Sequence, residues 1–388
     1  MLKAYKIEIK PTNKQIIKIN QTIGVCRFIY NFYIAHNKEV YEETGSFVSG
    51  MSFSKWLNNE FIPNKQDYLW IKNVSSKAVK QSIMNGEKAF KKFFKKQGAF
   101  PKFKKKNKSN VGMYLPKNNK TDFTLERHRI KVPTLGFVRL KEFGYIPLNS
   151  MIKSGTITKK CDRYYISIIV EEVVKQNNKP YSSGIGIDLG IKEFATISDK
   201  RVYKNINKTN TIKKLKKSLK RQQRKLSRKY ESLKIRNKKN GGSVTRQNIQ
   251  KQVLKVQKLH DRLTNIRTDY LNKTINELVK TKPEFINIED LNISGMIKNR
   301  HLAKAIAEQK FYEFRIKLIN KCHQNNIEVR LSNRFYASSK TCSQCGYVKK
   351  DLKLKDRVYR CPQCGLVINR DLNASINLRD NQIYKIAQ

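Results

Sequence analysis

The sequence predicts an α/β domain holding a small metal-stapled insert, preceded by a small β-barrel domain that carries a helical insertion. Three observations predict it. Apolar strands that end in carboxylates recur among helices in the order strand, hairpin, helices, strand, helix, strand. Two cysteine pairs interrupt that order near the C-terminus. A stretch of short alternating strands with Gly and Pro turns, the pattern of a small barrel or sandwich, lies upstream from about 110 to 180.

Composition bounds the function. The 388 residues suit two or three domains, and 39% hydrophobic residues with 18 Phe and 18 Tyr suffice for real cores. The formal net charge of +52 calls for a polyanion, with nucleic acid ahead of a membrane surface. No run of about 18 apolar residues is present. The N-terminus lacks the apolar core of a signal peptide, so a cytoplasmic protein is expected. In a reducing compartment the isolated Cys26, Cys161 and Cys322 read as small core hydrophobes.

In chain order, Tyr5, Ile7 and Ile9 alternate on a first strand that Pro11 ends. Thr12 and Gln15 form a capping box, and residues 12–97 read as helical, with Gly24 as an early break. Ser75 or Ser76 caps a later helix whose lysines interleave with Phe90, Phe93 and Phe94. Residues 98–107 (GAFPKFKKKN) read as a linker or a loop touching nucleic acid. The β-rich stretch follows, its clearest strand carrying Tyr164, Ile166, Ile168 and Val170 on one face, and the first strand joins the same sheet. Residues 211–280 form a helical hairpin about Gly241-Gly242. Its apolar positions (Leu215, Leu219, Leu226) are core. Lys213, Lys217, Lys220, Arg221, Arg224 and Arg228 read as a polyanion-facing surface.

Asp188 ends the glycine-flanked strand GIGIDLG, and Glu289 ends a second apolar strand, Phe285 to Ile288. A helix is expected over 302–325 and a strand over 327–331; Asp371 then lies in the first turn of a last helix. A carboxylate on an apolar strand is costly unless paired or bound to a metal. Three such groups converging on one point suit hard divalent cations. Two ions about 3.5–4 Å apart hold the attacking water and the leaving oxygen of a phosphodiester. The alternative is three unrelated surface carboxylates. The glycines around Asp188 are expected to leave room for a phosphate and the ions. Glu193 and Asp290 read as bystanders, and His260, His301 and His323 lack partners at ligand spacing.

Cys342, Cys345, Cys361 and Cys364 give two C-x2-C pairs, each followed by Gly, separated by 15 residues. Four thiolates at this spacing predict a closed structural Zn²⁺ site that supplies the insert's stability.

These motifs together resemble the TnpB family of bacterial insertion sequences, relatives of type V CRISPR nucleases. The resemblance rests on GIDLG, the IED-LN-x-x-GM pattern of Ile288 to Met296, SSKTCSQCG, CPQCG and NRDLNASINL, and earlier on GVCRFIYN, FPKFKKK and VPTLGFVRL. It covers nearly the whole chain. It implies a RuvC-like fold of the RNase H class with Asp188, Glu289 and Asp371 as catalytic Mg²⁺ ligands, for which Mn²⁺ can substitute. It implies a guide RNA from the element's end, a double-stranded DNA target beside a short motif, and a monomer in the bacterial cytoplasm. The implied division is a wedge-like β-barrel (1–10 and 105–182), a helical recognition domain (11–104), a nuclease domain (183–334 and 369–388) and a zinc ribbon (335–368). Two positions depart from the family pattern: Asn369 where Asp is frequent, and Asn272 where His is common. The competing readings are a non-cutting RNA-guided DNA-binding repressor, which should lack a triad acid, and a guide-free transposition accessory protein.

Overall fold

Strand β1 (Leu2–Lys10) buries Tyr5, Ile7 and Ile9 and exposes the lysines between them. The computed structural model describes residues 2–106, 111–172, 183–239, 246–353 and 355–387. They fall into two compact units, residues 1–173 and 174–388.

In the first unit the capping box forms as expected. Thr12 Oγ1 accepts from the Gln15 N–H at 3.4 Å, and Gln15 Oε1 from the Thr12 N–H at 2.9 Å. They start α1 (Asn13–Thr44), which runs unbroken through Gly24. A mid-helix glycine costs only about 1 kcal/mol, and burial of Val25, Ile29, Tyr33 and Ile34 along the same helix outweighs it. α2 (Gly50–Trp56) continues through a π-turn (Leu57–Phe61) into α3 (Ile62–Asn64), and a 3-10 turn (Gln66–Asn73) leads to α4 (Ser76–Phe94). Phe53, Leu57, Ile62 and Ile83 close a core against α1.

The β-region supplies β2 (Gly112–Pro116), β3 (Thr124–Leu125), β4 (Arg129–Val132), β5 (Gly136–Leu140), β6 (Met151–Lys160) and β7 (Arg163–Glu171). With β1 they make a seven-stranded antiparallel sheet in the order β2-β6-β7-β1-β5-β4-β3. β1 sits inside it, Ile7 opposite Ile166 and Ile9 opposite Leu140. The ladder ends at β2 and β3, but the sheet rolls up. The Phe123 ring, next to β3, lies 3.2 Å from where a Cβ on Gly155 of β6 would be. The inward side chains of all the strands except β3 supply one buried core, with Leu125 of β3 packed against it.

The second unit opens with β8 (Ile185–Leu189), β9 (Glu193–Ile197) and β10 (Val202–Lys204), followed by the long helices α5 (Asn210–Lys239) and α6 (Gln247–Lys280). The Gly241-Gly242 turn lies outside the described residues. β11 (Phe285–Glu289), α7 (Ile293–Lys298), α8 (Ala303–Gln309), α9 (Phe311–His323) and β12 (Glu328–Ser332) come next. A small hairpin, β13 (Val358–Arg360) and β14 (Val367–Asn369), precedes α10 (Arg370–Asp380) and β15 (Tyr384–Ile386). The main sheet runs β10-β9-β8-β11-β12-β15, with β8, β11 and β12 parallel. One face carries Ile185, Ile187, Ile286 and Ile288 against α6 and α9. The other carries Gly186 and Asn287 against α10.

The expected helix over 302–325 is two helices. Lys310 takes the left-handed conformation (φ 58°) between α8 and α9. Tertiary hydrogen bonds hold the break: Gln309 Nε2 donates to Gly190 O at 3.2 Å, and Lys310 Nζ to Thr268 Oγ1 at 2.8 Å. Periodicity was continuous across 309–311, so the pattern carried no sign of it.

Candidate metal centres and nucleic-acid surface

β8 and β11 bring the first two carboxylates level. Ile187 pairs with Ile288 in parallel register, so Asp188 and Glu289 occupy the next step on strands about 4.8 Å apart. Both sit two residues beyond Gly186 and Asn287, on the face that α10 covers.

Gly186 determines how α10 lies there. A Cβ at this position would be 2.0 Å from Ser375 O and 2.4 Å from Arg379 N. The helix backbone rests directly on the strand, which leaves no room there for a phosphate. Gly184 is likewise filled, its missing Cβ replaced by the Phe285 ring at 2.2 Å. The expectation that these two glycines make space for ligand is therefore corrected: they make space for protein. Asn287 completes the seat, donating to Leu378 O at 2.7 Å and accepting from Ser332 Oγ at 3.0 Å.

Asp371 stands in the first turn of α10, where a helix favours negative charge. Asn369 is the cap, its Oδ1 accepting from the N–H groups of Asp371 (2.9 Å) and Leu372 (3.2 Å). Asn and Asp cap about equally well, so this departure from the family pattern leaves the helix start intact. Arg370 Nε lies 3.5 Å and Arg357 Nη1 4.0 Å from the Asp371 carboxylate.

The three carboxylates feel one another. Burial, then the charges of Glu289 and Asp371, push the Asp188 carboxyl well above the usual carboxylate range, with Arg370 pulling the other way. Burial also raises Glu289, against a hydrogen bond from Ser338 Oγ at 2.8 Å. Their oxygens are nevertheless spread. Among the described residues, only the four cysteines place all their ligand atoms within 4.8 Å of one another. Asp290 faces elsewhere, paired with Arg315 (2.7 Å) and Arg334 (3.3 Å). Asn272 accepts from Lys317 Nζ at 2.8 Å.

The cysteine site is tight. Cys342 Sγ lies 3.6 Å from Cys364 Sγ, and Cys345 Sγ 3.5 Å from Cys361 Sγ. A tetrahedral zinc with bonds of about 2.3 Å sets its sulfurs about 3.8 Å apart, so the four thiols fit that ion. Gly346 (φ 77°) and Gly365 (φ 73°) make the two knuckle turns in a region that disfavours a side chain. Tyr359 is fully buried between the knuckles and donates to Lys340 O (3.2 Å) and Tyr347 O (3.1 Å).

Sequence reasoning missed the asparagines that join these two centres. Asn373 donates to Thr341 O (2.6 Å) and accepts from the Ser343 N–H (3.0 Å). Asn377 donates to Ser338 O (2.7 Å) and Thr341 O (2.6 Å). The signal was available: Asn369, Asn373, Asn377 and Asn381 recur every four residues, one stripe of a helix.

Each unit also carries cationic or aromatic surface of its own. Lys213, Lys217, Lys220, Arg221, Arg224 and Arg228 on α5 are all exposed, and none is ion-paired among the described residues. In the first unit, a hollow of about 500 Å³ beside α1 is lined by Arg27, Phe28, Trp70 and Asn73. A second of about 410 Å³ shares Phe28 and adds Phe32, Phe103 and Lys104. The Phe103-Lys104 loop is clamped to α1, the Lys104 N–H donating to Asn31 Oδ1 (2.7 Å) and Asn31 Nδ2 to Lys104 O (2.9 Å).

Comparison with known proteins gives a consistent picture. Three family descriptions match: a helix-turn-helix domain over residues 1–46, a probable transposase of the OrfB/IS605 type over 167–300, and a Cas12f1-like TNB domain over 311–378. In this chain the first of these spans β1 and one continuous helix. The chain is 32% identical to the putative RNA-guided DNA endonuclease InsQ of Escherichia coli K12, over 97% of this chain and 91% of that one. It is 26% identical to a putative RNA-guided DNA endonuclease of Streptomyces pristinaespiralis, over 97% and 88%. Its fold resembles the protein in a cryo-EM structure of a Cas12f1–sgRNA–target DNA complex, with a TM-score of 0.60 at 15% identity, over 96% of this chain and 83% of that one.

Proposed function

The chain belongs to the TnpB (OrfB/IS605) family, and from that premise we propose that it is an RNA-guided, Mg²⁺-dependent DNA endonuclease with a RuvC-like centre. What supports the chemistry is Asp188 beside Glu289 on adjacent parallel strands, with Asp371 near enough for its charge to act on Asp188. In the proposed division, residues 183–334 and 369–388 cut, and 335–368 form a zinc ribbon. Residues 1–10 and 105–182 make a wedge-like barrel, and 11–104 a recognition domain.

Asp188, Glu289 and Asp371 would hold the divalent ions. A set of oxygen ligands of this kind would suit hard divalent ions, one or a pair. When bound, such ions supply an activated water and stabilise the leaving 3′-oxygen of a phosphodiester. The protein's own part is to keep three anions in place without their metal. Burial raises the proton affinity of both Asp188 and Glu289, and the neighbouring charges of Glu289 and Asp371 add to it at Asp188. Cys342, Cys345, Cys361 and Cys364 would hold Zn²⁺ with no position left for substrate.

The exposed α5 cations and the charge of +52 fit a long phosphate path. The aromatic hollows beside α1 suit unpaired bases, which stack on rings whatever their sequence. Guide pairing would read the target, and the protein only a short adjacent motif.

Purification from cells carrying the native locus tests the proposal. The expected result is one discrete co-purifying RNA, and Mg²⁺-dependent cutting of a plasmid that matches its end but not of a mismatched one. Absence of a discrete RNA, or equal cutting of both plasmids, overturns guidance.

A further inference from the structure

We propose that Ser338 is a positioning residue for the carboxylate centre: it fixes Glu289 as a metal ligand and makes the zinc insert a structural part of that centre. The inference rests on the reading of Glu289 as a ligand.

Ser338 lies four residues before Cys342, where the chain leaves β12 for the first knuckle. It is 4% exposed, so its hydroxyl needs a partner within the protein. That partner is Glu289: Ser338 Oγ donates to Oε1 at 2.8 Å. The bond occupies one oxygen and leaves Oε2 for an ion.

Ser338 is itself held from the other side. Asn377 Nδ2 grips its carbonyl at 2.7 Å and the Thr341 carbonyl at 2.6 Å. Asn373 grips Thr341 O and the Ser343 N–H on either side of Cys342. Both asparagines are on α10, the helix that carries Asp371. On the far side of the insert, Arg357 reaches toward Asp371 at 4.0 Å, and its carbonyl accepts from the Arg370 N–H at 2.9 Å. The knuckle segment is therefore tied to Glu289 on the sheet and to the helix of Asp371. Hydrogen-bonded neighbours of metal ligands set ligand orientation, and their loss typically costs 10–100-fold in affinity.

The experiment titrates Mn²⁺, followed by the EPR signal of the free ion, into the full chain freed of nucleic acid. Wild type is compared with Ser338→Ala, Ser338→Thr and Glu289→Gln, with zinc content measured for each. Ser338→Ala is expected to weaken Mn²⁺ binding about tenfold at one zinc per chain. Ser338→Thr, which keeps the hydroxyl, should stay within about twofold of wild type. In the RNA-loaded form, Ser338→Ala should need about tenfold more Mg²⁺ for half-maximal cutting and recover near wild-type cutting at saturation. The proposal is overturned if Ser338→Ala binds Mn²⁺ like wild type. It is equally overturned if that variant loses zinc together with Mn²⁺, or if Ser338→Thr fails as badly with zinc intact. If Glu289→Gln binds Mn²⁺ like wild type, the reading of Glu289 as a ligand fails instead.

Discussion

The four cysteines and the three carboxylates are two candidate metal sites in one unit, and they differ in how their geometry is made. The cysteine cluster is local. Its ligands lie within 23 residues of sequence, its turns are set by Gly346 and Gly365, and its thiols already stand at zinc spacing. The carboxylate cluster is assembled from residues 183 positions apart in the chain. Its geometry depends on a parallel strand pair, on Gly186 admitting the α10 backbone, and on the hydrogen bond from Ser338 beside the first cysteine knuckle. A closed site can be stabilised by its ion alone. An open one must have its anions held by the fold, and the raised Asp188 carboxyl reflects its burial first and the nearby charges of Glu289 and Asp371 second.

Losing the ion should distinguish the two sites most sharply. Cys361→Ser is expected to abolish zinc binding and to unfold residues 335–368, since a structural zinc contributes on the order of 10 kcal/mol. Limited proteolysis should then cut within the insert, while the β-region of the first unit stays protected. Retention of zinc and protection would break the comparison.

Gly186→Ala comes next. Its methyl would meet backbone atoms at 2.0 and 2.4 Å, which cannot move as a flexible side chain would. A loss of about 3 kcal/mol is expected in urea unfolding, with loss of DNA cutting and unchanged zinc content.

A smaller effect of opposite sign is expected for Asp188→Asn. The folded state raises the proton affinity of Asp188. Folding therefore takes up a proton between the ordinary carboxylate range and the raised value. The stability linked to this group is full below about pH 4 and is lost as pH rises through the raised value. Metal-free Asp188→Asn should thus melt above wild type at pH 7 and match it near pH 4. A lower melting temperature at pH 7 would show that the carboxylate is not held under strain.

The smallest effect tests the helix cap. Asn369→Asp should change stability by less than about 0.5 kcal/mol, while Asn369→Ala should cost about 1 kcal/mol, both by chemical unfolding.

The same contrast explains what the sequence could reveal. The four-cysteine cluster was legible in full because its determinants are neighbours along the chain. The strands ending in Asp188 and Glu289, and the helix opening at Asp371, were legible from apolar periodicity and capping chemistry. Their meeting was legible only as α/β order. The use of Gly186 was misread because a missing Cβ says that something comes close, not what. The Lys310 break and β15 were missed because hydrogen bonds from distant residues, such as Gln309 to Gly190, and pairing with β12 decide them. In the first unit, alternation placed β1 in the seven-stranded sheet correctly, while Gly24 was overread as a helix break that core packing overrides.

The most direct test of the account compares wild type and Asp188→Ala, each carrying its co-purified RNA and one zinc per chain, on a guide-matched plasmid in Mg²⁺. The account predicts that both bind the plasmid and that only wild type cuts it, with the variant slower by at least about 10³-fold. Cutting by Asp188→Ala at the wild-type rate would contradict it.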